Sequence, residues 1–301
     1  MKKNKPSSTA LFVSNGLWWV ANHPGLSIEI PERMRTLNHE MMKYLNLGIF
    51  STQNRFGRCL LKFKTSLMQK FAIPGFYLHF ALRKRCIDDH VGTAIREGAE
   101  QIIVIGSGFD TLSLRISQDF PNLKIIEIDH PATQKPKSKA IYRFDEAFKN
   151  LHLLPHDFTE CSIHELLLQS EHYDSSKSSV FVAEGLLMYL DEKEVRGILD
   201  GIRLHSSSDS RFIFTYMEVF NEGGGQFKCA SPMTLYWLKM KREMFTWGLK
   251  ADQLVAFLDH SGFDVLVCKT HKELREEYLT ENNLDASLVV GENIVVATIS
   301  Q

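Results

Sequence analysis

The sequence predicts an α/β protein in which a mostly parallel, doubly wound β-sheet carries helices on both faces and follows an N-terminal helical region. From about residue 98 onward, short β-branched runs alternate with segments of helical periodicity, which is the pattern of βαβ units. Before that point the apolar residues follow helical spacing. The 301 residues are 44% hydrophobic and 24% charged, which is typical of a globular protein with one large or two small domains.

Residues 1–90 are predicted to form a helical N-terminal cap. Apolar residues cluster on two candidate helices, from Leu11 to Val20 and from Met41 to Leu45. A third candidate, Phe56 to Phe71, mixes large apolar residues with lysines at helical spacing. The core is then expected to cover residues 91–301.

The core is predicted to contain six strands with clear signals. They cover Gln101–Ile105, Leu123–Ile128, Val180–Val182, Arg211–Val219, Phe263–Lys269 and Asn293–Ser300. Helices are predicted between them, at Ile163–Ser170, Glu192–Leu204 and Ala251–Ser261. A further helix starts at Leu112, with Asp110 or Thr111 as its candidate N-cap. The triple glycine and the Met-rich, aromatic stretch after it predict a lid insertion at about 220–250.

A glycine turn followed by a distant acid is the strongest functional signal. Gly106-Ser107-Gly108 follows the first strand, and glycines there let a ligand approach the backbone closely. About 20 residues later the second strand runs into Asp129, a position from which a carboxylate can accept both hydroxyls of a ribose. The pairing predicts a nucleoside site at the carboxyl edge of the sheet; a tight turn without a ligand is the alternative.

The details of the turn favour a cofactor without phosphates. A dinucleotide fingerprint needs a third glycine, and this chain has Thr111 at that position. Asp110 would repel a pyrophosphate and attract a positive centre. Both features favour S-adenosylmethionine, although an NAD-dependent oxidoreductase remains an alternative.

Three motifs in order resemble those of the leucine carboxyl methyltransferase family. They are Gly106–Thr111, Glu127–Pro131 and Ala183–Leu190, and the likeness extends from about Arg83 to Glu194. The chain is most similar to the bacterial branch of S-adenosylmethionine-dependent O-methyltransferases, which includes polyketide-tailoring members. The resemblance implies a seven-stranded, Rossmann-like class I methyltransferase fold, with an additional strand at Leu151–Leu154.

Ten residues are candidates for the cofactor site: Arg83, Gly106, Ser107, Gly108, Asp110, Asp129, His130, Asp157, Phe158 and Glu184. The resemblance implies that Arg83, or alternatively Arg85, pairs with the cofactor carboxylate, for which a guanidinium is well suited. It also implies that Asp157 accepts the adenine amine and that Phe158 covers the ring. Glu184 would lie beneath the sulfonium or the methionine amine.

The expected reaction is O-methylation of a carboxylate or phenolic hydroxyl of a small molecule, by direct in-line displacement. Carboxyl methylation of a protein C-terminus and cofactor binding without catalysis are alternatives. The sequence identifies no catalytic residue; Glu184 and Tyr189 are positioning candidates, and His130, His156 and Tyr216 join Tyr189 as conceivable bases. Leu112 stands where the family usually has arginine, so the resemblance leaves the acceptor open.

The remaining expectations concern partners and compartment. Twelve His without H-E-x-x-H spacing and five Cys without C-x-x-C predict no metal site. A formal charge of -1, with only a mild Lys135–Lys139 cluster, argues against a nucleic-acid partner. The absence of a signal peptide or an apolar span leads us to expect a cytoplasmic protein with no membrane partner. The sequence does not specify the oligomeric state.

Overall fold

A computed structural model describes the chain over residues 6–23, 26, 28–45, 51–71, 74–144, 148–157, 162–220 and 244–300. The predicted α/β fold with one seven-stranded sheet is confirmed. Residues 221–243, most of the predicted lid, lie outside the described residues. Within the part of the chain that the structure describes, no helix combines the length and apolar character needed to cross a bilayer.

The strands are β1 Gln101–Ile105, β2 Lys124–Asp129, β3 Leu151–Pro155, β4 Ser179–Ala183, β5 Arg211–Met217, β6 Phe263–Lys269 and β7 Glu292–Ile299. Their order in the sheet is β3-β2-β1-β4-β5-β7-β6. The first five strands are parallel, and β7 is antiparallel to both of its neighbours. The order reverses between β1 and β4, and ligands of such sheets bind at the carboxyl ends beside that point.

Burial explains why the strands have different sequence patterns. Every residue of β1 and β4 is buried, so these strands are continuous apolar runs covered by helices on both faces. The edge strand β6 instead alternates between buried or half-buried and more exposed residues. The predicted bounds of β1 and β6 are confirmed to the residue, and those of the other strands agree within two residues.

The helices are α1 Ser8–Ala21, α2 Glu32–Tyr44, α3 Arg55–Phe71, α4 Phe76–Arg96, α5 Leu112–Asp119, α6 Pro131–Ile141, α7 Ile163–Gln169, α8 Glu192–His205, α9 Leu254–Asp259 and α10 His271–Tyr278. The sequence analysis missed α6, which contains two prolines, and α10, which buries Leu274 alone. Thr111 is the N-cap residue of α5, but its side chain makes no capping hydrogen bond. The helix predicted over Ala251–Ser261 is shorter, because a 3-10 turn precedes α9.

Helix α4 connects the N-terminal helices to the sheet. Tyr77 and Phe80, in its first turns, pack with α1 in one apolar cluster. Leu82 and Ile87, farther along, pack against residues of the sheet in another. The side chains of Arg83 and Lys84 therefore lie at the boundary between the cap and the core, close to the carboxyl ends of the strands.

Candidate active site

The glycine turn and the acid that the sequence paired are in direct contact. The backbone N–H of Gly108 donates to Oδ2 of Asp129 at 2.5 Å, and the N–H of His130 donates to Oδ1 at 2.6 Å. Gly106 and Gly108 have φ angles of 67° and 54°, values that residues other than glycine rarely adopt. The turn after β1 is thus fixed against the end of β2.

Asp129 is buried but retains capacity for a ligand. Burial raises the pKa of its carboxyl group, and the hydrogen bond from Gly108 opposes that change. Each of its oxygens accepts one backbone N–H, and a carboxylate oxygen has a second lone pair. The carboxylate can therefore accept further hydrogen bonds from hydroxyl groups.

A buried ion pair supports the turn from beneath. Nζ of Lys137 lies 2.8 Å from Oε1 of Glu127, and both side chains are almost fully inaccessible to solvent. The Ser107 hydroxyl donates to Oε2 of Glu127 at 3.1 Å and accepts from Lys137 at 3.3 Å. Because this hydroxyl is directed into the core, a cofactor contact from Ser107 must come from its backbone.

Arg83 joins three distant parts of the chain. Its Nε and Nη2 donate to Oε1 of Glu184 at 2.9 and 2.6 Å, and its Nη1 donates to Oε1 of Glu292 at 2.5 Å. Burial alone would lower the pKa of Arg83, but the ion pairs with Glu292 and Glu184 outweigh burial and raise it. Burial also opposes the ionisation of Glu292, yet Arg83 lowers that pKa to about 2. Arg83 and Glu292 are therefore both charged at neutral pH.

The backbone beside Arg83 has a conformation that favours glycine. Gly185 follows β4 with a φ angle of 61°. A Cβ atom there would lie 3.4 Å from Nη2 of Arg83. The guanidinium thus packs directly on the turn that carries Glu184.

Lys84 bridges two of the predicted site carboxylates. Its ammonium lies 2.9 Å from Oδ2 of Asp110 and 2.9 Å from Oε1 of Glu184. Although burial would raise the pKa of Asp110, the charges of Lys84 and Arg115 lower it well below its usual range. Asp110 is thus ionised and already has a cationic partner, whereas the sequence analysis treated its charge as facing the ligand.

Arg115 connects the turn to helix α4. Its Nη2 donates to both oxygens of Asp88, at 2.6 and 2.8 Å, and its Nη1 donates to the Thr111 hydroxyl at 2.6 Å. Burial raises the pKa of Asp88 to about 6, against the opposing effect of Arg115. This pair holds the start of α5 against α4.

Geometry separates the two arginines proposed for the cofactor carboxylate. Arg85 donates to the carbonyl oxygen of Glu29 at 2.6 Å, and its guanidinium lies 5.2 Å from the ring centre of Tyr278. Glu29 precedes α2 and Tyr278 ends α10, so neither partner of Arg85 belongs to the candidate site. Arg83, in contrast, contacts the residue that follows β4.

The adenine side of the predicted site is described in part. Nδ1 of His130 accepts the N–H of Ala132, which caps α6, and Nε2 lies 3.4 Å from Oδ2 of Asp157. Asp157 therefore lies beside the end of β2, as expected from its position after β3. Phe158 lies outside the described residues.

The candidate bases lie in different environments. The Tyr216 hydroxyl accepts a hydrogen bond from Asn293, and burial raises its pKa to about 12, so it stays protonated at neutral pH and is not available as a base. His156 is buried, and its backbone N–H donates to the carbonyl oxygen of Asp129 at 2.8 Å. Tyr189 lies in a 3-10 turn after β4, with its ring 5.5 Å from that of Phe245. The geometry designates no general base among them.

Five charged residues of the site had no predicted role in it: Lys84, Asp88, Arg115, Lys137 and Glu292. Lys84 and Asp88 lie beside Arg83 and Arg85, the two arginines that the resemblance singled out, so their position was a usable signal. The sequence contained no such signal for Glu292, because it is 209 residues away from Arg83 in the chain. Among the residues described, no group of three or more His, Cys, Asp or Glu side chains could hold a metal ion.

Comparison with known proteins yields both sequence relatives and structural neighbours. A protein of Mycobacterium bovis named "Putative S-adenosyl-L-methionine-dependent methyltransferase" is 31% identical over 134 residues, which are 44% of this chain and 38% of that protein. A Bacillus subtilis protein of the same designation is 29% identical over 122 residues, 40% of each chain. The aligned region thus spans about two fifths of the length of these curated relatives.

Two solved structures share the fold. A "putative methyltransferase" from Thermobifida fusca matches with a TM-score of 0.56 and 15% identity, over 87% of this chain and 94% of that one. A DUF574 family protein from Streptomyces avermitilis matches with a TM-score of 0.60 and 10% identity, over 87% and 96%. The sequence profile described as leucine carboxyl methyltransferase matches residues 50–203, which include the glycine turn and the acids at the ends of β2 and β4. Because this match covers just over half of the 301 residues, the chain belongs to the leucine carboxyl methyltransferase family.

Proposed function

We propose that the protein is an S-adenosylmethionine-dependent methyltransferase whose cofactor binds at the carboxyl ends of β1, β2 and β4. The hydrogen bond from Gly108 to Asp129 carries this proposal, because it joins the glycine turn to the acid that would hold a ribose. Family membership and the fold shared with the Thermobifida fusca structure support it.

The net charge at the carboxyl ends of these strands suits this cofactor. Leaving aside the imidazole of His79, which lies 3.3 Å from Glu292, the ion-paired groups are three cations and four carboxylates: Arg83, Lys84 and Arg115 with Asp88, Asp110, Glu184 and Glu292. With all seven ionised, the cluster has one excess negative charge. S-adenosylmethionine has one net positive charge, whereas a dinucleotide has a negatively charged pyrophosphate that these carboxylates would repel. The charge balance therefore favours the sulfonium cofactor over NAD.

Each residue would contribute a defined contact. Asp129 would accept the ribose hydroxyls, Glu184 would lie near the positive groups, and Arg83 would exchange part of its bonding to Glu184 for the cofactor carboxylate. Asp157, beside His130, would accept the adenine amine. The cofactor supplies an already activated methyl group, so the protein's part is to position the reactants and exclude water.

The proposed acceptor is an oxygen of a small molecule, and a carboxylate is favoured over a phenol. A carboxylate is ionised at neutral pH and needs no base. A phenol would benefit from one, and the engaged, buried hydroxyl of Tyr216 is unsuited to that role. The family's own description, which names a carboxyl group, points the same way.

Cofactor binding can be tested by calorimetry with S-adenosylhomocysteine. We expect the wild-type chain to bind it, and Asp129→Ala to weaken binding about tenfold or more, because a charge-assisted hydrogen-bonding partner is lost. Asp264→Ala, at an exposed position of β6, is the control and should bind like the wild type. Absence of wild-type binding, or binding of NADH instead, would refute the proposal.

Methyl transfer is tested with labelled cofactor and panels of carboxylic acids, phenols and cell extract. A methyl ester releases labelled methanol in alkali, whereas a phenyl ether does not, so the chemistry of the product identifies the acceptor class. Label that appears on a protein C-terminus would favour that alternative. Tight cofactor binding without any transfer would favour a binding protein.

A further inference from the structure

Helix α3 has an unusual charge pattern. Its 17 residues, Arg55–Phe71, include five cations and no Asp or Glu. The cations are Arg55, Arg58, Lys62, Lys64 and Lys70. Since the whole chain has a formal charge of -1, this helix is a local concentration of positive charge on a nearly neutral protein.

The same helix exposes a row of large apolar side chains, which we call the α3 stripe: Phe56, Phe63 and Leu67. Phe56 is 71% exposed, Phe63 69% and Leu67 49%. Their spacing of seven and four residues places them on one face of the helix. On every other helix or strand within the described ranges, at most one large apolar side chain is exposed.

The opposite face of α3 anchors the helix to the cap. Leu61 is fully buried and packs with Trp18 and Met42. On one flank of the helix, Nε1 of Trp19 donates to the Ser66 hydroxyl at 3.0 Å. Because α3 already buries one apolar face, the α3 stripe is a second apolar surface that the N-terminal helices do not cover.

The cations lie on both sides of the α3 stripe. Successive residues of a helix are rotated by about 100°, so Lys62 and Lys64 project to either side of Phe63. Arg55 lies on the same side as Lys62, next to Phe56, and both cations are exposed. A narrow apolar row bordered by lysines and arginines is the pattern of helices that lie flat in a membrane interface.

We propose that α3 docks on the surface of a lipid bilayer that contains anionic phospholipids. The α3 stripe would enter the boundary between headgroups and acyl chains, and the flanking cations would contact the phosphate groups. The absence of acids on α3 favours a uniformly negative surface over a protein partner, which would present charges of both signs. The sequence led us to expect no membrane partner, and it did not show which face of α3 is exposed; the proposal rests on that exposed face.

The test is co-sedimentation of the full chain with vesicles. We expect binding to vesicles that contain phosphatidylglycerol, little binding to pure phosphatidylcholine, and weaker binding as salt is raised. The double variant Phe56→Ser/Phe63→Ser should lose at least about tenfold in affinity, and Lys62→Glu should also weaken binding. Leu168→Ser/Leu204→Ser removes two exposed leucines from α7 and α8 and should bind like the wild type.

Other outcomes would overturn the proposal. Thermal unfolding first shows whether each variant is folded; if the double serine variant is unfolded, Lys62→Glu and the salt series decide. Absence of binding to phosphatidylglycerol vesicles refutes the lipid surface, and so does equal binding by the folded double variant. A wild-type dimer that the serine variant dissociates, without vesicle binding, would identify a second copy as the occupant. Retention on polyglutamate as strong as on vesicles would indicate an acidic protein.

Discussion

Lys84 and Asp110 form a buried ion pair, with Nζ 2.9 Å from Oδ2, that connects helix α4 to the turn after β1. The same ammonium contacts Glu184 at the end of β4. A single side chain therefore holds together two carboxylates on either side of the point where the strand order reverses. Its role is to position those carboxylates, and it can be tested separately from catalysis.

Replacing Lys84 with methionine should strongly destabilise the protein. The change leaves Asp110 and Glu184 facing each other without their shared cation, and breaking a buried pair in this way costs about 3–5 kcal/mol. Urea denaturation measures the loss. Lys177→Met is the matched control, because its pair with Glu100 is exposed and should contribute little. Equal stability of the two variants would contradict the structural role of Lys84.

The buried pair beneath the glycine turn should behave as a coupled unit. Lys137→Met leaves Glu127 buried without a counterion and should cost about 3–5 kcal/mol of unfolding free energy. The double variant Glu127→Leu/Lys137→Met removes both charges and should recover much of that loss. A double-mutant cycle from urea denaturation measures the coupling. Strict additivity of the two single changes would show that the pair does not interact as described.

The titration of Asp88 should make a measurable contribution to stability. Its folded-state pKa is raised to about 6 from an ordinary value of 3.8, so the folded protein binds this proton more tightly than the unfolded chain does. The contribution is fully present below pH 3.8 and is lost as the pH rises through about 6. Between pH 7 and pH 4 the unfolding free energy of the wild type, relative to Asp88→Asn, should therefore rise by about 2 kcal/mol. A difference that stays constant with pH would rule this out.

Gly185 should be intolerant of a side chain because of its backbone conformation. Alanine at its φ angle of 61° is strained by about 1–2 kcal/mol, and the added Cβ would contact the Arg83 guanidinium. We expect Gly185→Ala to lower both stability and S-adenosylhomocysteine affinity. Gly197→Ala on α8 is the control; its Cβ would enter open space, so it should raise stability by about 0.5–1 kcal/mol. Unchanged affinity in Gly185→Ala would argue against Arg83 as a cofactor ligand.

The sequence predicted those parts of the fold whose signals are local. Strand β1 is a fully buried apolar run between turn residues, and its bounds follow from that run alone. Helix α10 was missed because it is polar on nearly all sides and is specified by the capping box of Thr270 and Glu273. Such a helix has little hydrophobic periodicity for sequence analysis to detect.

In the candidate site, too, only some of the contacts could be inferred from the sequence. Gly108 and Asp129 are in contact because Gly108 follows β1 and Asp129 ends the adjacent parallel strand β2, and their part in ligand binding stays a prediction. The partners of Asp110 could not be inferred, since Lys84 reaches it only through the packing of α4 beside the sheet. Glu292 became a partner of Arg83 through the antiparallel placement of β7, which no local pattern specifies.

The contact between Arg83 and Glu292 also ties ligand affinity to the integrity of the whole sheet. It spans 209 residues, so it exists only when α4 and β7 are both in place. Any ligand that needs Arg83 in this position binds the native ensemble and not the denatured one, and mass action then shifts the unfolding equilibrium toward the native form. A rise in melting temperature with added nucleoside would consequently show that α4 and β7 are both in their native positions.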